Sequence, residues 1–541
     1  MHHGNVAESD PNLPAATGAA GSADPQASDA ARNGDYGFIF RQAEPWQGLG
    51  SRDRTAQVTT RLSEAMRDHN DSSEQDDNET IPAGYTYLGQ LIVHDLTQFR
   101  LDPRGRSIRA SAGASNLRTP SLDLDCIYGG GPEAEPALYQ RSENQHDDFR
   151  LLLRVGRSRT GTTGGGVPVA QRDEGDVPRV TEDGRGIVGR QPAVCADPLI
   201  ADARNDAHLL VSQLHLAFSL IHNRVALYFQ RRLQDNRAAF QSARQFVRSC
   251  YRNIIREDYL RRVLCQEVFA DLDSGSPEIV RLPEGSPLEP TQLPLEYALA
   301  AGRFGHAMAR GFYRVNDVLE APHRQPEKGS LGTILRLSGL SNRGASGLPV
   351  SGEWLVDWRQ FFDLGEVRPN PSRKISPFLP APLINHTPPF SRRRPRKGLV
   401  WHDLWRSYDP GLPSGQDMAR ELQSHAGRRL HVPVLTGANL VPRHDSTAQS
   451  VRAIEAVFQA NDALRESTPL FYYLLQEAHR CEEGRSLGPL GSYIVALSFR
   501  NLLRERGQGV TSRIGDMPGF LALLLSEQAA FEATMESALV N

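Results

Sequence analysis

Gly89-Gln90-Leu91-Ile92-Val93-His94-Asp95-Leu96-Thr97-Gln98-Phe99 sets an amide, a histidine and a carboxylate into an otherwise apolar stretch. If the stretch is helical, Gln90 and His94 lie four apart and share a face, while Asp95 points about a quarter turn away. One face can then do proton chemistry and the next can hold a metal ion. The plainer alternative is a hydrogen-bonded core histidine in a buried helix, and these eleven residues alone leave both open.

Working outward, the periodicity is mostly helical. Leu209, Leu210, Leu214, Ala217, Phe218, Ile221 and Val225 keep a spacing of three and four over several turns. Val247, Cys250, Tyr251, Ile254 and Ile255 do the same within a long segment predicted over residues 238–264. Further helices are expected over 295–310, 447–463, 469–480, 488–504 and 520–534, and alternating strand patterns are few and short. The expected class is mainly α: one large helical domain over residues 36–541 with few short strands. Residues 1–35 are Ala, Gly, Ser, Asp and Pro with almost no large apolar side chains, a composition expected to form a disordered tail.

Composition excludes several classes of partner. The 61 basic and 64 acidic residues leave a formal charge of −3, so no global field draws the chain to nucleic acid or an anionic membrane. No run of eighteen apolar residues exists, so no membrane span is expected, and the first residues lack the basic start and apolar core of a secretory signal. The five cysteines are scattered, without a C-x-x-C pair, so neither a disulfide framework nor a zinc site is indicated. The expected location is cytoplasmic, or secreted by a route without a conventional signal peptide. Residues 161–166, Gly-rich, lack the following Lys-Ser/Thr and a preceding strand, which argues for a loop rather than a phosphate cradle. The basic run at 392–397 reads as a solvated loop.

Two further clusters carry chemistry. Asp202-Ala203-Arg204-Asn205 opens the long helix that contains His222-Asn223-Arg224, and an arginine at a helix mouth can steer an anionic oxygen or make an ordinary salt bridge. Arg303-Phe304-Gly305-His306 follows an Ala-rich run whose small residues let a flat ligand approach closely, or let a core helix pack tightly.

Taken in order, Gly89-Gln90…His94-Asp95, Thr119-Pro120-Ser121-Leu122-Asp123-Leu124-Asp125…Tyr128-Gly129, Asp202…Arg204-Asn205, His222-Asn223-Arg224, Arg303-Phe304-Gly305-His306 and Gly411-Leu412-Pro413-Ser414 resemble the animal-type haem peroxidase superfamily, which also contains the cyclooxygenases and fatty-acid dioxygenases. The resemblance runs from about Tyr85 to Leu503 and implies a haem-dependent peroxidase that reduces hydrogen peroxide through a ferryl intermediate and oxidises a small donor. It implies that His94 is the distal acid-base, Arg204 the distal arginine that polarises peroxide, and Gln90 the residue that orients water, peroxide or a halide. It implies that His306 is the proximal iron ligand, with Asp403 as acceptor for its other nitrogen, where many members carry Asn. Arg406, three residues on, is matched to a haem propionate or a surface ion pair, and Arg303 to the cofactor's surroundings. The same resemblance places a calcium site on Asp95, Thr119, Ser121, Asp123 and Asp125, hard oxygen donors that an extended segment would turn toward one point.

Departures from the pattern also inform. Mammalian members bind haem through esters from carboxylates at positions that here hold Val93 and Ala207, and one member adds a sulfonium bond at the position of His208. Neither Val nor Ala can form an ester, so the resemblance implies haem b held noncovalently, with bromide, iodide, thiocyanate or phenols as easier donors than chloride. The dioxygenase branch needs a tyrosine three residues before the proximal histidine, and Arg303 stands there, with Tyr297 and Tyr313 as nearby substitutes. A third alternative is a haem scaffold or adhesion-type protein without turnover, which would have no need of the distal pair.

Overall fold

The Gly89–Phe99 stretch lies largely within a helix, Gly84–Leu96, whose residues are all buried except Gly89. A helix apolar on every side belongs to a core, which is why it shows no polar face in sequence. Gly84 is required at its start, because a Cβ there would lie 2.5 Å from the ring of Phe362 and 2.6 Å from the carbonyl of Phe361. It ends at Thr97, which turns to extended backbone.

The computed structural model describes residues 36–40, 46, 48–70, 73–100, 115–141, 149–162, 168–180, 197–318, 329–338, 348–386, 397–408, 410–443, 448–504 and 509–540. The expected tail over residues 1–35 and most of the basic run lie outside them. In chain order the helices are α1 (Arg52–Ala65), α2 (Gly84–Leu96), α3 (Asp125–Tyr128), α4 (Leu209–Leu233), α5 (Asn236–Asn253), α6 (Leu260–Val263), α7 (Gln266–Asp273), α8 (Leu295–Leu299) and α9 (Leu331–Arg336). They continue with α10 (Ala381–Asn385), α11 (Leu399–Tyr408), α12 (Gly415–Ala426), α13 (Ala448–Gln459), α14 (Asp462–Glu466), α15 (Leu470–Cys481), α16 (Pro489–Arg504), α17 (Met517–Leu525) and α18 (Gln528–Ala538). Strands among the described residues form only two-stranded ladders, the longest pairing Asp77–Pro82 with Pro371–Arg373. The class is mainly α, as expected.

α4 and α5 form a helical hairpin closed by Gln234 in the left-handed region and by Asp235, whose carboxylate accepts the Ala238 N–H at 2.8 Å. One hydrophobic core runs from Tyr36 to Ala538. Trp46, Trp401, Trp405 and Tyr408 make a separate packed cluster beside α11. No helix among the described residues is long and apolar enough to cross a membrane.

Three expected helices are broken. The 238–264 segment is α5, a π-helical turn over Ile254–Tyr259 and α6, so its apolar register slips by one residue in the middle. The 520–534 segment is split between α17 and α18 at Ser526 and Glu527, both extended. The 295–310 segment is only α8 followed by a 3-10 turn, Ala301–His306, with the break at Ala300. Residues 161–162 pair with 168–169 in a short antiparallel ladder, and among the described residues that follow up to 180 there is no helix as a phosphate loop would need.

Candidate active site

His94, on the last turn of α2, is fully buried, and its Nδ1 stands 2.8 Å from Asn205 Oδ1. Asn205 comes from a 3-10 turn, Ala203–Asp206, that Asp202 caps by accepting the Arg204 N–H. The Asn205 amide nitrogen donates to the Cys126 carbonyl at 3.1 Å and lies 3.2 Å from His215 Nδ1. Because an amide nitrogen only donates, His215 Nδ1 is an acceptor and Asn205 offers His94 its oxygen. His94 therefore carries its proton on Nδ1, which leaves Nε2 as the basic nitrogen. Burial lowers His215 to a pKa of about 4 and so keeps it neutral.

Arg204 ties the two segments together. Its guanidinium donates to both Asp202 oxygens (2.6–3.2 Å), to the Thr97 carbonyl at 2.6 Å and to the His94 carbonyl at 2.8 Å. At least three of its five N–H groups are thus committed to the open C-terminal end of α2 and to a buried carboxylate. Asp202 also meets Arg118 at 3.2 Å, and burial notwithstanding, Arg204 and Arg118 hold its carboxyl far below the usual range. Arg204 thereby locks the helix that carries His94.

Gln90 is buried one turn before His94, with Oε1 2.8 Å from His208 Nε2. Thr86 lies one turn earlier on the same face, and neither Thr86 Oγ1 nor Gln90 Nε2 has a hydrogen-bond partner. Val93 and Ala207, also buried, bring no carboxylate to this region.

The second histidine sits at the end of the Ala301–His306 turn, which packs against α2: a Cβ on Gly305 would stand 3.7 Å from the Thr86 carbonyl. His306 Nδ1 donates to Asp403 Oδ2 at 2.5 Å, and the other Asp403 oxygen accepts from Arg406 at 2.5 Å. Burial alone would raise Asp403, but His306, Arg406 and Arg303 outweigh it and hold the carboxylate ionised. With Nδ1 donating to a carboxylate, His306 presents Nε2 as a lone pair, the form that ligates a metal. Arg406 therefore meets Asp403 rather than standing clear of it. Arg303 is fully buried; its N–H groups reach the Leu299 and Ala298 carbonyls, both at 3.0 Å, and it lies 3.9 Å from Asp403. It closes the C-terminal end of α8, which explains why the expected long helix breaks there.

Asp95, Asp123 and Asp125 converge, with one carboxylate oxygen from each within 4.8 Å of the others. Both Asp95 oxygens and one each from Asp123 and Asp125 lack a hydrogen-bond partner. Burial and the two neighbouring carboxylates push Asp95 up to about 8. Burial likewise raises Asp125 to about 6. The loop is not the extended segment expected: Leu122 and Leu124 adopt φ of 52° and 58°, and this left-handed pair brings the two aspartates together. Such strain costs on the order of 1–3 kcal/mol per residue and is retained where a site requires it. Thr119 donates its N–H to Asp125, while the Ser121 carbonyl accepts from Arg252 at 2.6 Å. The three carboxylates fit a hard divalent cation; the Ser121 carbonyl is already engaged.

Sequence reasoning singled out His94, Gln90, His306, Asp403 and the acidic loop. It quoted Asn205 without a role, treated His208 only as a position unable to bond to haem, and passed over Thr86, whose signal was its spacing of four from Gln90.

A family model described as animal haem peroxidase matches residues 96–334. No curated protein matches the chain in sequence. Among solved structures, fatty acid alpha-dioxygenase of Oryza sativa superposes with a TM-score of 0.54 at 12% identity, covering 93% of this chain and 82% of that one. Fatty acid alpha-dioxygenase of Arabidopsis thaliana gives 0.51 at 13%, covering 93% and 76%. Peroxidase A of Dictyostelium discoideum gives 0.49 at 14%, covering 93% and 88%. The shared fold does not separate peroxidase from dioxygenase activity. Residues 96–334 are thus similar to the animal haem peroxidase family, and the fold is shared with the fatty acid alpha-dioxygenases.

Proposed function

We propose that the protein is a haem-dependent peroxidase that reduces hydrogen peroxide and oxidises small donors such as phenols, bromide, iodide or thiocyanate. The observation that carries this reading is the Asn205–His94 hydrogen bond, which sets the donor on Nδ1 and leaves Nε2 as the basic nitrogen of the ring. His94 Nε2 takes a proton from one oxygen of peroxide and returns it to the departing oxygen. His306, set by Asp403, would hold haem b, and bound haem would supply the redox equivalents for cleaving the O–O bond and oxidising the donor. Val93 and Ala207 give no ester, so the cofactor would be noncovalent and would leave the polypeptide in acidified butanone. Calcium on Asp95, Asp123 and Asp125 would fix the end of α2 next to His94. Arg303 stands where a dioxygenase would hold its radical tyrosine, and it is committed to helix carbonyls, which favours the peroxidase.

Purified protein supplied with haem should show a Soret band that shifts with stoichiometric peroxide and returns with guaiacol or bromide. Oxygen uptake with linoleate, without peroxide-dependent guaiacol oxidation, would overturn the reading in favour of a dioxygenase. Haem binding without any response to peroxide would point to a scaffold.

A further inference from the structure

His208 is the N-cap residue of α4, and its Nδ1 accepts the Val211 N–H at 3.4 Å. Burial, with His94 nearby adding to it, holds its pKa well below the ordinary histidine value, so the ring is neutral and bears one proton. With Nδ1 an acceptor, that proton sits on Nε2, 2.8 Å from the Gln90 carbonyl oxygen. An inverted Gln90 amide would set two donors against each other, so the amide has one orientation. Its Nε2 is then turned away from His208, buried and without a hydrogen-bond partner. A buried donor left unmet costs about 1–3 kcal/mol, which is tolerated where a ligand meets it.

We propose that His208 is a positioning residue that locks the Gln90 carboxamide so that its N–H groups, not its oxygen, are offered on the α2 face that bears His94. This deepens the peroxidase reading: the site takes small hydrogen-bond acceptors, namely peroxide and compact anions such as halide or thiocyanate. The α4 cap thereby acts on ligand choice in a neighbouring helix.

Two measurements test it. In protein selectively labelled with 15N-histidine, without added haem, His208 should give the Nε2–H tautomer; an Nδ1–H tautomer overturns the proposal whether or not the protein takes up haem. In haem-loaded protein, azide is titrated by its Soret change. His208→Asn keeps a capping side chain but is too short to reach Gln90, and should weaken azide about three- to tenfold, the worth of one positioned hydrogen bond. Gln90→Leu should weaken it similarly, and adding His208→Asn to Gln90→Leu should change nothing more. An effect of His208→Asn that persists undiminished in the Gln90→Leu background would show that His208 acts on the fold and not through Gln90, and would overturn the proposal. Wild-type protein without a Soret band would sink the peroxidase reading instead, leaving the tautomer to decide the role of His208.

Discussion

The two histidines are held by the same construction with different acceptors. His94 Nδ1 meets the neutral carboxamide of Asn205, and His306 Nδ1 meets the ionised carboxylate of Asp403. A neutral acceptor fixes the tautomer and leaves the ring free to gain a proton and lose it again. A carboxylate pushes electron density toward Nε2, which suits a ring that stays bound to a cation. The arginines repeat the parallel. Arg204 closes the C-terminal end of α2, which carries His94, and Arg303 closes that of α8, which leads into His306. Each serves the position of a histidine through the backbone.

Breaking the arginine half of that comparison should give the largest effect. Arg204→Leu removes the cap of α2 and leaves buried Asp202 with the backbone N–H of residue 204 and one cation, Arg118 at 3.2 Å. The expected loss is about 3 kcal/mol, the lower end for breaking a buried pair because one cation remains. Urea unfolding would check it. Arg204→Leu with unaltered stability but abolished reaction with peroxide would instead assign Arg204 the direct catalytic role that the resemblance implies.

The contacts of Arg204 mark the limit of what was legible beforehand. Gln90, His94 and Asp403 lie on helices whose register follows from spacing, whereas His306 was reached through the order of the motifs. Arg204, Arg303 and Asn205 lie in 3-10 turns, where a spacing of 3.6 no longer gives direction, and which acceptor an arginine finds depends on helix ends brought together from distant segments. The acidic loop was legible in composition but not in shape, since nothing in Leu122 or Leu124 announces a positive φ. The break at Ala300 was hidden for a related reason: an Ala-rich run favours helix locally, and the Arg303 cap that ends it is a tertiary fact.

Removing calcium should come next. At a hundredfold excess over its Kd an ion adds about 2.7 kcal/mol to the folded state, so chelation should lower the thermal midpoint and calcium should restore it. Asp95→Asn should abolish the difference. A midpoint indifferent to chelator and calcium would leave the three carboxylates a structural cluster only.

Exchanging the acceptors sharpens the comparison directly. Asp403→Asn gives His306 a neutral partner and should raise the Fe(III)/Fe(II) potential of the loaded protein while weakening haem retention on the order of tenfold or more. Spectroelectrochemistry would check it, and a parent no lower in potential than the variant would refute the assignment. Asn205→Asp gives His94 the charged partner instead. It should raise the basicity of His94 and move the acid limb of peroxide cleavage to higher pH.

The last effect is silent at neutral pH. His215 supports the distal pair from behind, accepting from Asn205 in its neutral form, and burial lowers its pKa from 6.5 to about 4. Between those values the unfolded chain binds a proton that the folded protein does not, so stability falls as pH drops from 6.5 toward 4, by up to about 1.4 kcal/mol per pH unit for this one group. His222, lowered to about 4 by burial, adds to the same slope. No such slope is expected from Asp403, whose lowered pKa makes its contribution fade only below the unfolded carboxylate value of 3.8. His215→Gln keeps an acceptor for Asn205 without a titrating ring, so its unfolding midpoint should fall less steeply between pH 6.5 and 4, by about one proton. Parallel slopes for parent and variant would mean that His215 is already protonated in the fold, and that Asn205 is held by the Cys126 carbonyl alone.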